Sequence, residues 1–173
     1  MDVVMLPLVA EGTGLDSALS LLRRSERAGL VVHPPFSDSY GLLYAGDLLR
    51  GKAEHVGTLG SVTGTRPVLV LDAALSESYG LDLVRPDTTR ISYETMLIAR
   101  GFEYALAGEA GDTAMIVTLH EEQGETLRST GGYQCGGHPR HYFPEPRVRL
   151  GQMCPYAPHD AGPGGLAPVI ETA

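Results

Sequence analysis

Basic residues are scarce in this chain. Its 173 residues include 13 Lys and Arg against 21 Asp and Glu, which gives a formal net charge of −8 at pH 7. Proteins that bind along a nucleic-acid backbone need clustered Lys and Arg, so this balance argues against broad nucleic-acid binding. A small local basic pocket remains compatible with it.

Long apolar runs are also missing. No window approaches the length of a membrane span, so no membrane association is expected. The opening residues, MDVVMLPLVAEG, lack the positive region and the long apolar stretch of a signal peptide. The sequence therefore predicts a soluble, cytoplasmic, bacterial-type protein, in a compartment where thiols stay reduced and can bind metal.

Several catalytic signatures do not occur. The sequence has no GxxxxGK[ST] loop, no GxGxxG that follows a strand and opens a helix, and no HExxH or GxSxG motif. The acidic pairs Glu121–Glu122 and Glu109–Asp112 are interpreted as solvated faces. No catalytic residue is assigned, and an enzyme is not the first expectation.

Tryptophan is absent and aromatic residues make up only 6% of the chain, but hydrophobic residues reach 43%, enough for a core. The length fits one compact domain plus a small module. The predicted boundaries are an α/β (α+β) domain at 1–128, a small module at 129–164 and a tail at 165–173. Within the first domain, two related halves are predicted at about 1–53 and 80–125.

Apolar patterning predicts strands and helices in both halves. In the first half, a helix with Thr13 as its cap and Gly29 after its end lies between the first two strands. In the second half, Ser92 is the predicted cap of a helix that Gly101 ends. The predicted strands are 3–9, 30–33, 40–44, 67–72, 102–106 and 113–119, and the first helix carries apolar Leu15, Ala18, Leu19 and Leu22. This order is typical of a sandwich layer with helices on one sheet face.

The first half resembles a CBS module, a repeat that occurs in pairs and often senses adenosine nucleotides. The resemblance lies in VAEGTGLDSALSLLRR, GLVV and the turn GLLYAGDLL. In the family this turn reads G-h-h-T/S-x-x-D, where h is an apolar residue. The Thr or Ser hydroxyl and the Asp carboxylate contact the ribose of the bound nucleotide. Here Asp47 matches the carboxylate, whereas Tyr44 stands in place of the hydroxyl residue. In the second half, MIVTLHE places Thr118 and Glu121 at the same spacing. The resemblance implies an adenine nucleotide bound near Asp47, Thr118 and Glu121.

Both cysteines and three of the six histidines lie between 130 and 164. Thiolates and imidazoles on Gly/Pro-rich backbone are what a zinc site is made from. The runs YQCGGH and GQMCPY resemble the two knuckles of a zinc ribbon or rubredoxin-type finger, although Tyr156 stands where the family has its last cysteine. The candidate ligands are Cys135, His138, His141, Cys154 and His159, and which histidines complete the site stays open. Buried apolar cysteines, or a disulfide in an exported protein, are the alternatives.

The function expected from these patterns is that of a regulatory or adaptor protein. A CBS-like domain would bind an adenine nucleotide or a protein partner, and a structural zinc module would serve for docking. One alternative is a zinc-dependent hydrolase or deaminase with an open ligand position near Glu145. The other is a structural interaction subunit that binds no small molecule. A homodimer is expected through the helices at Leu15–Arg24 and Asp47–Arg50, with Leu48 or Leu49 at the interface.

Overall fold

The computed structural model describes residues 1–34 and 39–128, together with three short strands farther along the chain. The first part contains strands β1 (Asp2–Ala10), β2 (Gly29–His33), β3 (Tyr40–Tyr44), β4 (Arg66–Val70), β5 (Tyr104–Ala110) and β6 (Thr113–Thr118). Its helices are α1 (Leu15–Ser25), α2 (Ala45–Ala53), α3 (Ala73–Tyr79), α4 (Arg90–Arg100) and α5 (Glu121–Arg128). Single 3₁₀ turns lie at Leu59–Ser61 and Pro86–Thr88.

Strands β1 to β6 form a closed barrel in sequence order. The pairs β1–β2 and β4–β5 are parallel, and the other four pairs are antiparallel. Each parallel pair is connected through helices, as parallel strands require. The order strand, helix, strand, strand, helix occurs twice, once from β1 to α2 and again from β4 to α5, with α3 and α4 both in the second crossover.

The mixed α/β class is therefore confirmed. The strands were expected in a sandwich layer, but β1 pairs with β6 along six positions and closes the ring. In the repeated order, the second unit begins with β4 at Arg66, ahead of the predicted start at about residue 80.

One rim of the barrel collects the positions that matter for a binding site. At this rim, called the lower rim below, β3 and β6 end while the other four strands begin. Helices α2 and α5 start directly beyond it. Because β3 and β6 are the third and sixth strands of a six-stranded ring, their ends lie on opposite sides of the lower rim.

Alternation along the strands separates the barrel interior from the helix-covered exterior. On β5, Tyr104 and Leu106 face the interior, while Ala105 and Ala107 pack against the helices. The buried interior residues are Val4, Leu6, Val31, Leu42, Tyr44, Val68, Tyr104, Leu106, Ala114, Ile116 and Leu127. Helices α1 and α2 cover the first unit and α4 covers the second, each through its own apolar cluster.

Helix α5 closes the lower rim. Its Leu127 is fully buried in the interior cluster, and the Leu127 carbonyl accepts a 2.9 Å hydrogen bond from the Ala28 N–H group. Arg128 holds the end of the helix against β1 by donating to the Asp2 carboxylate and to the Val3 carbonyl. A side chain at Gly124 would collide with Asp2, so glycine permits this close approach.

Helix ends differ from the predictions in several places. Gly14, not Thr13, caps α1, and no side chain bonds there. Helix α4 begins at Arg90, ahead of the predicted cap at Ser92, and the predicted stop at Gly101 is confirmed by its left-handed φ of 73°. Helix α1 ends at Ser25, and Gly29 belongs to β2.

The three short strands farther along are β7 (Tyr133–Cys135), β8 (Tyr142–Phe143) and β9 (Leu166–Pro168). They pair as an antiparallel sheet in the order β8–β7–β9, with Cys135 opposite Leu166. Part of the predicted tail is thus a strand paired with the segment that carries Cys135.

Candidate functional site

Asp47 lies at the third position of α2, directly after β3 delivers the chain to the lower rim. Its side chain is buried, with 4% of the residue exposed. The Tyr44 N–H group donates to Asp47 Oδ2 at 2.9 Å, which satisfies an amide that the first helical turn leaves without a partner. The same carboxylate that the family resemblance assigns to a ribose therefore caps its own helix.

Two arginines converge on the Asp47 carboxylate. Arg66 Nη1 donates to Oδ2 at 2.7 Å, and Arg50 donates to Oδ1. Arg66 also donates to the Gly64 carbonyl at 3.1 Å, and its guanidinium lies 4.4 Å from the centre of the Tyr44 ring. Since burying a carboxylate is costly unless it is paired, these two cations explain why Asp47 can lie inside the fold.

The Tyr44 side chain continues this network into the barrel. Its hydroxyl is 2.7 Å from the Tyr104 hydroxyl, and both residues are buried. Burial raises the pKa of Tyr44, and burial together with the neighbouring Tyr44 raises the pKa of Tyr104. Both phenols are therefore neutral at physiological pH. The five residues Tyr44, Asp47, Arg50, Arg66 and Tyr104 are called the Asp47 cluster below.

The opposite side of the lower rim is organised differently. Thr118, the last residue of β6, is buried, and its hydroxyl donates to the His120 carbonyl at 2.9 Å. The His120 N–H group donates to the Gln123 side chain at 3.0 Å. This bond is the counterpart of the one from Tyr44 to Asp47, so the position equivalent to Asp47 is Gln123. Glu121 lies two residues earlier, at the first turn of α5.

Glu121 lines an open cleft of about 660 Å³ between the start of β1, the turn before α4, and β6. Its side chain is 63% exposed and forms a 2.6 Å ion pair with Arg90. The described lining residues are Met1, Asp2, Val3, Val84, Pro86, Asp87, Arg90, Met115 and Glu121. The cleft that these residues line is called the Glu121 cleft below. Its lining includes carboxylates, one guanidinium group and an apolar wall.

The carboxylate of Asp2 lies on the wall of the cleft and is held by α5. Partial burial opposes ionisation, but the hydrogen bonds from Arg128 and the Val3 N–H group outweigh it and lower the pKa of Asp2. The Asp2 carboxylate in turn raises the pKa of Arg128. Asp2 therefore stays charged at neutral pH, whereas Asp87 on the same wall forms no ion pair among residues 1–34 and 39–128.

The structure thus separates the predicted nucleotide residues. Asp47 lies on one side of the lower rim, while Thr118 and Glu121 lie on the other, where Glu121 lines the cleft described above. Arg66 and Arg90 are missing from the sequence predictions, because each meets its carboxylate partner, Asp47 or Glu121, only in the folded chain.

The predicted zinc ligands cannot be placed in the same way. Cys135 belongs to β7, and His138, His141, Cys154 and His159 lie outside the described residues. Within the described part of the chain, no group of three or more His, Cys, Asp or Glu side chains is arranged to hold a metal ion. No helix in that part is long and apolar enough to span a membrane.

No protein-family model matches the chain, and no curated protein sequence matches it either. Among solved structures, the chain is similar to the crystal structure of CBSX2 in complex with AMP. The match has 19% sequence identity, covers 66% of this chain and 85% of that chain, and has a TM-score of 0.36. These values are too low to support any statement on the site, which rests on the geometry described above.

Proposed function

We propose that this chain is a regulatory or adaptor protein whose barrel domain binds an adenosine-containing ligand in the Glu121 cleft. The observation that carries the proposal is the cleft itself, whose volume of about 660 Å³ lies within the usual range for small-ligand sites, about 300–1,000 Å³. Its described lining has no Cys, Ser, His or Lys, so it offers groups for binding and few for nucleophilic catalysis.

Each part of an adenosine-containing ligand has a chemical counterpart in the cleft. The carboxylates of Glu121 and Asp87 can accept hydrogen bonds from the two ribose hydroxyls. The guanidinium of Arg90 retains donors beyond its bond to Glu121, and these can meet a phosphate. Val84 and Met115 provide apolar surface for the base.

Calorimetric titration with adenosine, AMP, ADP and ATP tests the proposal. Glu121→Gln removes one acceptor charge and should weaken binding roughly tenfold, the size expected for hydrogen bonds to a charged group. Glu122→Gln is the matched control, since Glu122 neighbours Glu121 on α5 but does not line the cleft. If none of the four compounds binds at millimolar concentration, the domain has to be assigned to protein binding instead.

The zinc module stays part of the proposal. Metal analysis of protein purified without chelators should find one zinc per chain, and Cys154→Ser should release it. The control is the thermal unfolding of the barrel domain, which the substitution should leave unchanged. An absence of transition metal in the intact protein would remove the module from the proposal.

A homodimer with a protein-docking role also stays part of the proposal. Leu48 is fully buried between α1 and α2, so of the two leucines only half-buried Leu49 can contribute to an interface on α2. Light scattering over a concentration series should show twice the 18.4 kDa chain mass, and Leu49→Glu should lower it. A constant monomer mass at tens of micromolar would contradict the dimer.

A further inference from the structure

We infer that Arg50 and Arg66 form a binding site for a phosphate group, at the outer side of the Asp47 cluster and separate from the Glu121 cleft. The two guanidinium groups share a single carboxylate, and neither forms an ion pair with another carboxylate among the described residues. The corner therefore carries one uncompensated positive charge on a chain whose net charge is −8.

Both arginines retain donors that face away from Asp47. A guanidinium has five N–H donors, and the described hydrogen bonds use only Arg50 Nη2 and Arg66 Nη1. The side chains are 30% and 37% exposed, so these donors can reach solvent. Because the buried Asp47 carboxylate fixes one edge of each group, little side-chain entropy remains to be lost when an anion binds.

The neighbouring loop is suited to the same ligand. Gly64 has a φ of 91°, and a Cβ placed there would lie 2.9 Å from Arg50 Nη2 and 3.0 Å from Asp47 Oδ1. The backbone N–H groups of Thr63, Gly64 and Thr65 donate no hydrogen bond to any residue that the structure describes. Unpaired amide groups beside fixed guanidinium groups are typical of phosphate recognition.

Among the described residues, few other charges lie near this corner. Besides Asp47, Glu103 is the acidic residue whose charge reaches Tyr44 and Tyr104, but it lies beyond ion-pair distance of Arg66. Its exposed carboxylate therefore does not occupy the arginine donors. A phosphate group fits the corner better than a second carboxylate, because a carboxylate has only two oxygens, whereas the larger set of phosphate oxygens can accept from both guanidinium groups and from the loop amides at once.

The test is a titration of the full-length protein with inorganic phosphate, against sodium chloride at equal ionic strength. Phosphate should raise the melting temperature more than chloride does, and calorimetry should give a dissociation constant. Arg50→Gln and Arg66→Gln should each weaken phosphate binding about tenfold. Circular dichroism first establishes that each variant is folded. Gly64→Ala keeps both charges but places a Cβ 2.9 Å from Arg50 Nη2, which displaces this guanidinium group and should weaken binding as well.

Two controls make the outcome decisive. Arg24→Gln, an exposed arginine on α1, should leave phosphate binding unchanged. Glycerol 3-phosphate, titrated beside inorganic phosphate, distinguishes the two sources of a phosphate group. Tighter binding of glycerol 3-phosphate would indicate a phosphorylated ligand, and tighter binding of inorganic phosphate would indicate the free ion. Equal effects of phosphate and chloride, or an equal loss in Arg24→Gln, would overturn the inference.

Discussion

The two opposite sides of the lower rim differ, although the same order of strands and helices leads into each. The side of Asp47 is called the closed end below, and the side of Glu121 the open end. Asp47 and Glu121 both follow the last strand of a unit, where the chain enters a helix. Asp47 is 4% exposed and accepts hydrogen bonds from one amide and two arginines, whereas the Glu121 side chain is 63% exposed and meets one arginine. The first end is closed around its carboxylate, and the second leaves a cleft.

The step from strand to helix accounts for the difference. Tyr44 leads directly into α2, so the residue at the third helical position is the buried Asp47. On the other side, Leu119 and His120 separate β6 from α5, and Gln123 takes the equivalent position. The Gln123 amide caps the helix but carries no charge, so it needs no cation. The second end therefore has no buried carboxylate with arginines around it.

The largest expected effect comes from removing the charge at the closed end. Asp47→Asn leaves Arg50 and Arg66 without a counterion, and should lower the free energy of unfolding by roughly 3 kcal/mol, near the lower end for breaking a buried ion pair. Glu121→Gln, the matched change at the open end, should cost less than about 1 kcal/mol. Urea unfolding measures both, and equal losses would mean that the two ends do not differ.

The tyrosine pair of the closed end gives the next effect. Tyr44→Phe should cost about 1–2 kcal/mol, because the Tyr104 hydroxyl stays buried without its partner. Changing both residues to Phe should cost less than the sum of the single changes, since no buried hydroxyl is then left unsatisfied. Additive losses in the double-mutant cycle would show that the 2.7 Å contact is not an energetic coupling.

Asp2 at the open end predicts a pH dependence. The pKa of Asp2 in the folded protein is lowered from 3.8, its value in the unfolded chain. Its contribution to the free energy of unfolding is therefore fully present above pH 3.8 and is lost as the pH falls through the lower folded-state pKa. Asp2→Asn should remove about 1 kcal/mol at pH 7, a modest figure because Arg128 is 40% exposed. It should also flatten the decline in stability below pH 4.

Asp16 serves as the control for that experiment. It pairs with Lys52 on the surface, where the two side chains are 84% and 59% exposed. Asp16→Asn should change stability by less than about 0.5 kcal/mol at pH 7. If the stability of Asp2→Asn falls below pH 4 as steeply as that of the unchanged protein, the Asp2–Arg128 pair does not contribute to acid unfolding.

The smallest effect is expected from a substitution that makes the two ends more alike. Gln123→Glu places a carboxylate at the position equivalent to Asp47, close to the helix N-terminus, and should stabilise α5 by about 0.3 kcal/mol. Chemical unfolding of the single variant measures it, with Glu125→Gln as a control outside the first turn. A clear destabilisation would indicate that repulsion from Glu121 and Glu122 exceeds the capping gain.

Local patterns were enough to predict most strands and the buried face of α1, because burial repeats with the period of each element. Leu15, Ala18 and Leu22 are buried as their spacing predicts. Helix α5 had no such pattern, since its sequence EEQGETLR carries Leu127 alone as a large apolar residue. Its place over the lower rim comes from tertiary contacts of Leu127 and Arg128.

The closure of the barrel and the pairing at the candidate sites could not be read from the sequence. Arg66 and Asp47 are 19 residues apart, Arg90 and Glu121 are 31 apart, and Tyr44 and Tyr104 are 60 apart. None of these separations corresponds to a helical or strand spacing, so the partners meet only once the ring is complete. The turns that contain Asp47 and Glu121 lie on opposite sides of the lower rim, and no local pattern indicates which of them lines a cleft.

The pairing of β1 with β6 also has a kinetic consequence. During synthesis β1 leaves the ribosome before β6, whose residues Thr113–Thr118 follow more than a hundred residues later. Until then the nascent chain exposes an unpaired strand edge that can join another chain. Such distant pairing is typical of slow-folding domains. Refolding yield should therefore fall as protein concentration rises, and chaperones that shield strand edges should restore it.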